Sequence, residues 1–125
     1  NETRENFYAA VAYANQQFKV GGRRTTPGWR SDRGRIYAKY GPYDAFLDRV
    51  SQGQAPPYQV WRYTKTRDRY YIFVDRNNLG EFQLIYSNDR TQRSLSDWRE
   101  ILTENGVTDV GRWLGVNFYG SSGVQ

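Results

Sequence analysis

The chain of 125 residues contains neither cysteine nor histidine. Without cysteine there are no disulfides and no thiol nucleophiles. Without both there is no zinc site built on sulfur or imidazole, and no imidazole general base. Redox compartment stays open, because a cysteine-free chain suits either side of a membrane. Long apolar runs are also missing: no stretch reaches the ~18 residues of a membrane-spanning helix, and no secretory signal pattern is read. Aliphatic residues are scarce as well. Hydrophobic residues make up 38% of the chain and aromatic residues 17%, so Tyr, Trp and Phe have to fill the core. Each buries a large area but needs a partner for its polar tip. The eleven tyrosines are therefore expected along the core's edges, hydroxyls at the surface.

What is present is arginine. The chain carries 18 basic and 13 acidic residues, a net charge of +5. The two signs are interspersed, whereas a nucleic-acid binder usually concentrates its basic residues. The length suits one domain with one core. The sequence opens on Asn1 and closes on the Gly/Ser-rich residues 120–125, so it is expected to be a piece of something longer or processed. Residues 1–119 are read as a single α+β domain and 120–125 as its tail.

The spacing predicts an amphipathic helix over Arg4–Phe18, with Phe7, Val11, Ala14 and Phe18 on one face. Gly21 and Gly22 end it. A turn at Pro27-Gly28 leads into Arg35–Tyr40. There Ile36, Ala38 and Tyr40 alternate with Arg35, Tyr37 and Lys39, which predicts a half-buried strand. Gly41-Pro42 turn the chain again. Tyr43, Phe46, Leu47 and Val50 predict a short helix over 43–50, with Pro42 at its start. Three strands follow: Tyr58–Tyr63, Arg69–Val74 and Glu81–Ser87, the last with Phe82, Leu84 and Tyr86 on one face. The short connections make them antiparallel neighbours. Arg69–Val74 is apolar on both faces and should be covered on both. A last helix opens near Ser94–Asp97 and buries Leu95, Trp98, Ile101 and Leu102. Asn105-Gly106 should stop it. Residues 109–118 remain ambiguous.

The stretch Gly28-Trp29-Arg30-Ser31-Asp32 resembles the signature of the GWxTD domain family of bacterial exported proteins, with Ser31 where the motif has Thr. The resemblance continues with Gly34, Gly41, Pro42 and Asp44. Beyond them come Tyr58-Gln59-Val60-Trp61-Arg62-Tyr63, then Phe73-Val74-Asp75 through Gly80-Glu81-Phe82, and Leu84–Ser87. It is clearest over residues 7–88. It implies an extracytoplasmic place: periplasmic, outer-membrane-associated or secreted. It brings no biochemical activity with it.

Asp32 and Asp75 are the carboxylates open to an acid–base role. Asp32 is equally suited to accept backbone N–H bonds or to pair with Arg30, Arg33 or Arg35. Asp75–Gly80 has oxygen side chains at alternate places, as calcium loops do, but lacks the later acid of a complete loop, and Asn and Gly also suit a plain turn. Ser31 has no histidine to activate it, and only a Ser–Lys arrangement with Lys39 remains. No catalytic residue, metal site or cofactor is assigned. Arg35, Tyr37 and Lys39 on one strand face, with Arg62, Lys65, Arg67 and Arg69 in the next hairpin, form a candidate binding face for an acidic peptide, a glycan or single-stranded nucleic acid. A solvated sheet face is the alternative.

The expected architecture is a mainly antiparallel four-stranded sheet with the first helix and the later helix packed on it. Phe7, Val11, Phe18, Ile36, Trp61, Ile72, Phe73 and Leu84 should be buried. The expected function is a non-enzymatic binding or assembly domain of an exported protein, joined to a larger chain or assembly. The alternatives are a hydrolase using Asp32 and Asp75, or a basic-aromatic nucleic-acid module.

Overall fold

The computed structural model describes residues 31–50 and 55–119. In chain order they form helix α1 (Asp32–Tyr40), strands β1 (Ala45–Arg49), β2 (Tyr58–Tyr63), β3 (Arg69–Val74) and β4 (Gln83–Ser87), and helix α2 (Trp98–Leu114). The strands make one antiparallel sheet in the order β1-β2-β3-β4. The class is α+β. The expected helix over Arg4–Phe18, the Pro27-Gly28 turn and Trp29 lie outside the described residues, as do Phe7, Val11 and Phe18.

Alternation along β3 sends Tyr71 and Phe73 to one face and Tyr70, Ile72 and Val74 to the other. Both sets are buried. On the first face they meet Ile36 of α1, with Trp61, Tyr63 and Leu84. On the second they meet Trp98, Leu102, Val107, Val110 and Leu114 of α2, with Leu47, Tyr58, Val60 and Ile85. A central strand apolar on both sides is thus sandwiched between two helical layers. Ile36, Trp61, Ile72, Phe73 and Leu84 are buried as expected.

Two elements differ from the sequence reading. Residues 35–40 belong to helix α1, not to a strand. Ile36, Ala38 and Tyr40 alternate as in a strand, but Ile36, Tyr37 and Tyr40 also share one side of a helix, and the ends decide between them. Ser31 caps the helix, its Oγ accepting from Gly34 N at 3.0 Å. Asp32 stands in the first turn and Lys39 in the last, as the helix dipole favours. Gly41, at φ +78°, closes it with its N–H on Tyr37 O. Conversely, 45–49 is strand β1, not helix. Its ladder with β2 runs from Ala45 opposite Arg62 to Arg49 opposite Tyr58. Asp44 fixes the start, donating N–H to Arg62 O and accepting Thr64 N on its carboxylate. A whole ladder outweighs a four-residue helical spacing. The sheet keeps four strands, but β1 replaces the expected 35–40.

In β4 the register shifts: Ile72 faces Tyr86 while Phe73 faces Leu84. Ile85 is the extra residue of a bulge. Leu84 therefore looks toward α1, whereas Ile85 and Tyr86 both pack on the α2 side. The expected common face of Phe82, Leu84 and Tyr86 is divided by that bulge.

Helix α2 does not stop at Asn105-Gly106. It breaks earlier, at Thr103 (φ 71°, ψ 163°), and resumes. A β-branched residue there sits in backbone territory nearly reserved for glycine, at a cost of order 1–3 kcal/mol. Gly106 is buried inside the helix, and a Cβ on it would lie 2.8 Å from Leu102 Cγ. The ambiguous stretch is helical to Leu114, with Val107, Val110 and Leu114 inward. Gly115, in the left-handed region, ends it. No helix of the described residues is long and apolar enough to cross a membrane.

Candidate functional site

Asp32, in the first turn of α1, accepts Leu84 N on Oδ2 at 2.7 Å and Arg35 Nη2 on Oδ1 at 3.3 Å. It fastens α1 to the edge of β4. Asp75, buried at the end of β3, accepts the N–H groups of Leu79 and Gly80 at 3.0 and 2.8 Å and closes the β3–β4 turn. Among the described residues, clefts of about 410 and 490 Å³ open on the surface, and neither of these is lined by Asp32 or Asp75. No three carboxylates among the described residues come together to hold a metal ion.

The helix redistributes the basic face drawn on a strand. Arg35 and Lys39, four apart, share an exposed side. Arg35 also reaches Gln92 Oε1 at 2.6 Å. Tyr37 instead turns to the sheet and meets Trp61 edge-on, centroids 6.3 Å apart. Arg62 is engaged by Asp68 through Nε and Nη2 at 2.8 and 2.7 Å. That bonding holds the Asp68 carboxyl below its usual range. Lys65 reaches Asp44 only at 3.9 Å, and Arg67 is exposed in the β2–β3 loop.

Lys39 and Arg69 come together, and Tyr40 is what joins them. Tyr40 is the last residue of α1. Its ring stacks on Tyr71 (5.7 Å, 29°) and leans on Tyr63 (5.9 Å). The Arg69 guanidinium lies 4.3 Å from the ring centroid and Lys39 Nζ lies 5.2 Å from it. These are cation–π distances. Arg69, at the start of β3, also reaches the Tyr63 ring at 5.5 Å. Its Nε is shut off from solvent and makes no hydrogen bond. Among the described residues neither Arg69 nor Lys39 forms an ion pair.

At the hydroxyl end of the ring lies Asp89, 2% exposed. Its Oδ2 accepts the hydroxyls of Tyr40 and Tyr71, both at 2.7 Å. Its Oδ1 accepts Thr91 N at 3.0 Å and Thr91 Oγ1 at 2.7 Å. Burial by itself would raise the carboxyl's pKa. The hydrogen bonds from Tyr71, Tyr40 and Thr91 outweigh it and hold the group well below the usual carboxylate range. Burial, then bonding to Asp89, pushes the Tyr71 hydroxyl far up. Asp89 is therefore fixed as an anion and Tyr71 as a donor at any ordinary pH. Neither is poised to exchange a proton near neutrality. The assembly is a rigid aromatic seat presenting two cations.

Sequence reasoning found Lys39 and Arg69 but not Tyr40 as their centre, nor Asp89 as its anchor. Two of that carboxylate's partners, Tyr71 and Tyr40, are 18 and 49 residues away. A second, half-buried polar node was missed for the same reason. Asp109 of α2 accepts Arg49 Nε at 2.9 Å and the Tyr58 hydroxyl at 2.6 Å. It ties the helix to β1 and β2. No family model, no curated protein and no solved structure matches this chain.

Proposed function

We propose that this chain is a non-enzymatic binding or assembly domain that receives an acidic segment of a protein partner on the Tyr40 seat. The observation that carries the reading is the pair Lys39 and Arg69, held over one aromatic ring with no carboxylate partner among the described residues. Charged donors already ordered by packing lose little further freedom on binding a carboxylate. The placement in an exported bacterial cell-envelope or secreted protein rests on the resemblance of Gly28–Asp32 to the GWxTD signature. The hydrolase alternative has less behind it, because Asp32 and Asp75 each hold backbone N–H groups.

The test is calorimetric titration with a Glu-rich peptide and a neutral peptide of equal length, at several salt concentrations. The Glu-rich peptide should bind, and binding should weaken as salt rises. Arg69→Gln and Lys39→Gln should each weaken it by about tenfold, the worth of one charge-assisted bond. An acidic peptide that does not bind, or binds equally to the doubly substituted protein, refutes the reading. Preference for a single-stranded oligonucleotide would favour the nucleic-acid module instead.

A further inference from the structure

On the α2 side of the sheet, away from Tyr40, a cleft of about 490 Å³ is lined by Ala55, Pro56, Pro57, Arg76, Asn78, Glu100, Ile101 and Thr103. The size suits a small ligand. Three segments meet there: the chain before β2, the β3–β4 turn, and the broken part of α2. Ile101 packs against the core below, while Pro56 and Pro57 form a stiff wall without N–H donors. Arg76 and Glu100 are both exposed side chains of this one cleft. Here they form no ion pair with each other or with any other described residue, so they stand farther than 4.0 Å apart.

Backbone strain marks the same place. Among the described residues only Asn78 (φ 55°) and Thr103 (φ 71°) have a positive φ without being glycine, and both line this cleft. Asn tolerates that conformation; Thr does not. Strain of this kind gathers where a fixed shape serves binding.

We propose that this cleft binds a small zwitterion, an amino acid or short peptide with free ends, its carboxylate on Arg76, its ammonium on Glu100 and its apolar side chain against Ile101 and Pro57. A ligand carrying both charges can meet both side chains of the cleft. It leaves neither charge without a counter-ion, whereas a singly charged ligand satisfies only one.

Titration of the isotope-labelled protein with the dipeptide Leu-Leu, followed by amide NMR shifts, tests this. The signals of Asn78, Ile101 and Thr103 should move saturably at millimolar dipeptide. N-acetyl-Leu-Leu and Leu-Leu amide should each bind about tenfold more weakly, having lost one charge-assisted contact. Arg76→Gln should erase the preference for the free carboxylate over the amide, and Glu100→Gln the preference for the free amine over the acetylated form. Both changes are at exposed side chains, and the spectrum itself reports whether the fold is kept. The absence of a saturable shift, or equal affinity for all three peptides, overturns the proposal.

Discussion

Asp89→Asn is the substitution whose outcome follows most closely from geometry. The amide is nearly the same size, so packing is kept and only charge and hydrogen bonding change. With its oxygen toward Thr91, the new residue still accepts the N–H and hydroxyl there. Its NH₂ then faces two tyrosine hydroxyls that had been donors to Oδ2. Tyr40 has an outlet, since Thr91 Oγ1 stands 3.5 Å away. Tyr71, fully buried, has the Tyr40 hydroxyl as its remaining partner, so a charged acceptor is exchanged for a neutral one. Exchanging two charge-assisted bonds for weaker neutral ones should cost about 1–3 kcal/mol. Chemical denaturation at pH 7 of parent and variant measures that gap. The pH dependence gives a second and independent check. The folded carboxyl lies below the ordinary aspartate value of 3.8. Its contribution is therefore complete above that pH and is lost as pH falls below it, because the unfolded chain takes up the proton first. Between pH 7 and pH 3 the gap should shrink by about 1 kcal/mol. A variant as stable as the parent at pH 7 would sink the argument. So would a gap that stays constant down to pH 3, since it would mean that Asp89 is not held as an anion.

Asp32→Ala should lower stability by about 1–3 kcal/mol, because the largely buried Leu84 N–H loses its acceptor. Asp32→Asn should cost less, about 1 kcal/mol, since an amide oxygen still serves that N–H and the exposed Arg35 pair contributes little. Thermal melts rank the three proteins, and an alanine variant no worse than the asparagine one contradicts the proposed fastening of α1 to β4. Gly111→Ala should cost about 1–3 kcal/mol despite alanine's better helix propensity, because the new Cβ would lie 2.6 Å from Val116 O. A rise in melting temperature would show that the turn after α2 yields freely.

The sequence alone specified whatever depends on local alternation. β2 and β3 were legible to the residue, and so was the division of β3 between two faces, because a six-residue strand buried on both sides leaves few other readings. The α+β class and three of the four strands were legible, whereas the fourth was expected at 35–40 and stands at 45–49. Two shorter segments exchanged identities. The alternation in 35–40 and the helical spacing in 43–50 were each overruled from outside the segment: by the Ser31 cap and Gly41 for the helix, by the ladder to β2 for the strand. The bulge at Ile85 and the break at Thr103 had no local signal, since each is imposed by what the chain packs against. The same holds for the site. Lys39 and Arg69 stood out as basic residues among aromatics, but their meeting on Tyr40, and the buried Asp89 that pins its hydroxyl, join residues up to 49 positions apart. Local sequence determines which face of an element is apolar; only tertiary packing decides which distant charge is left without a partner.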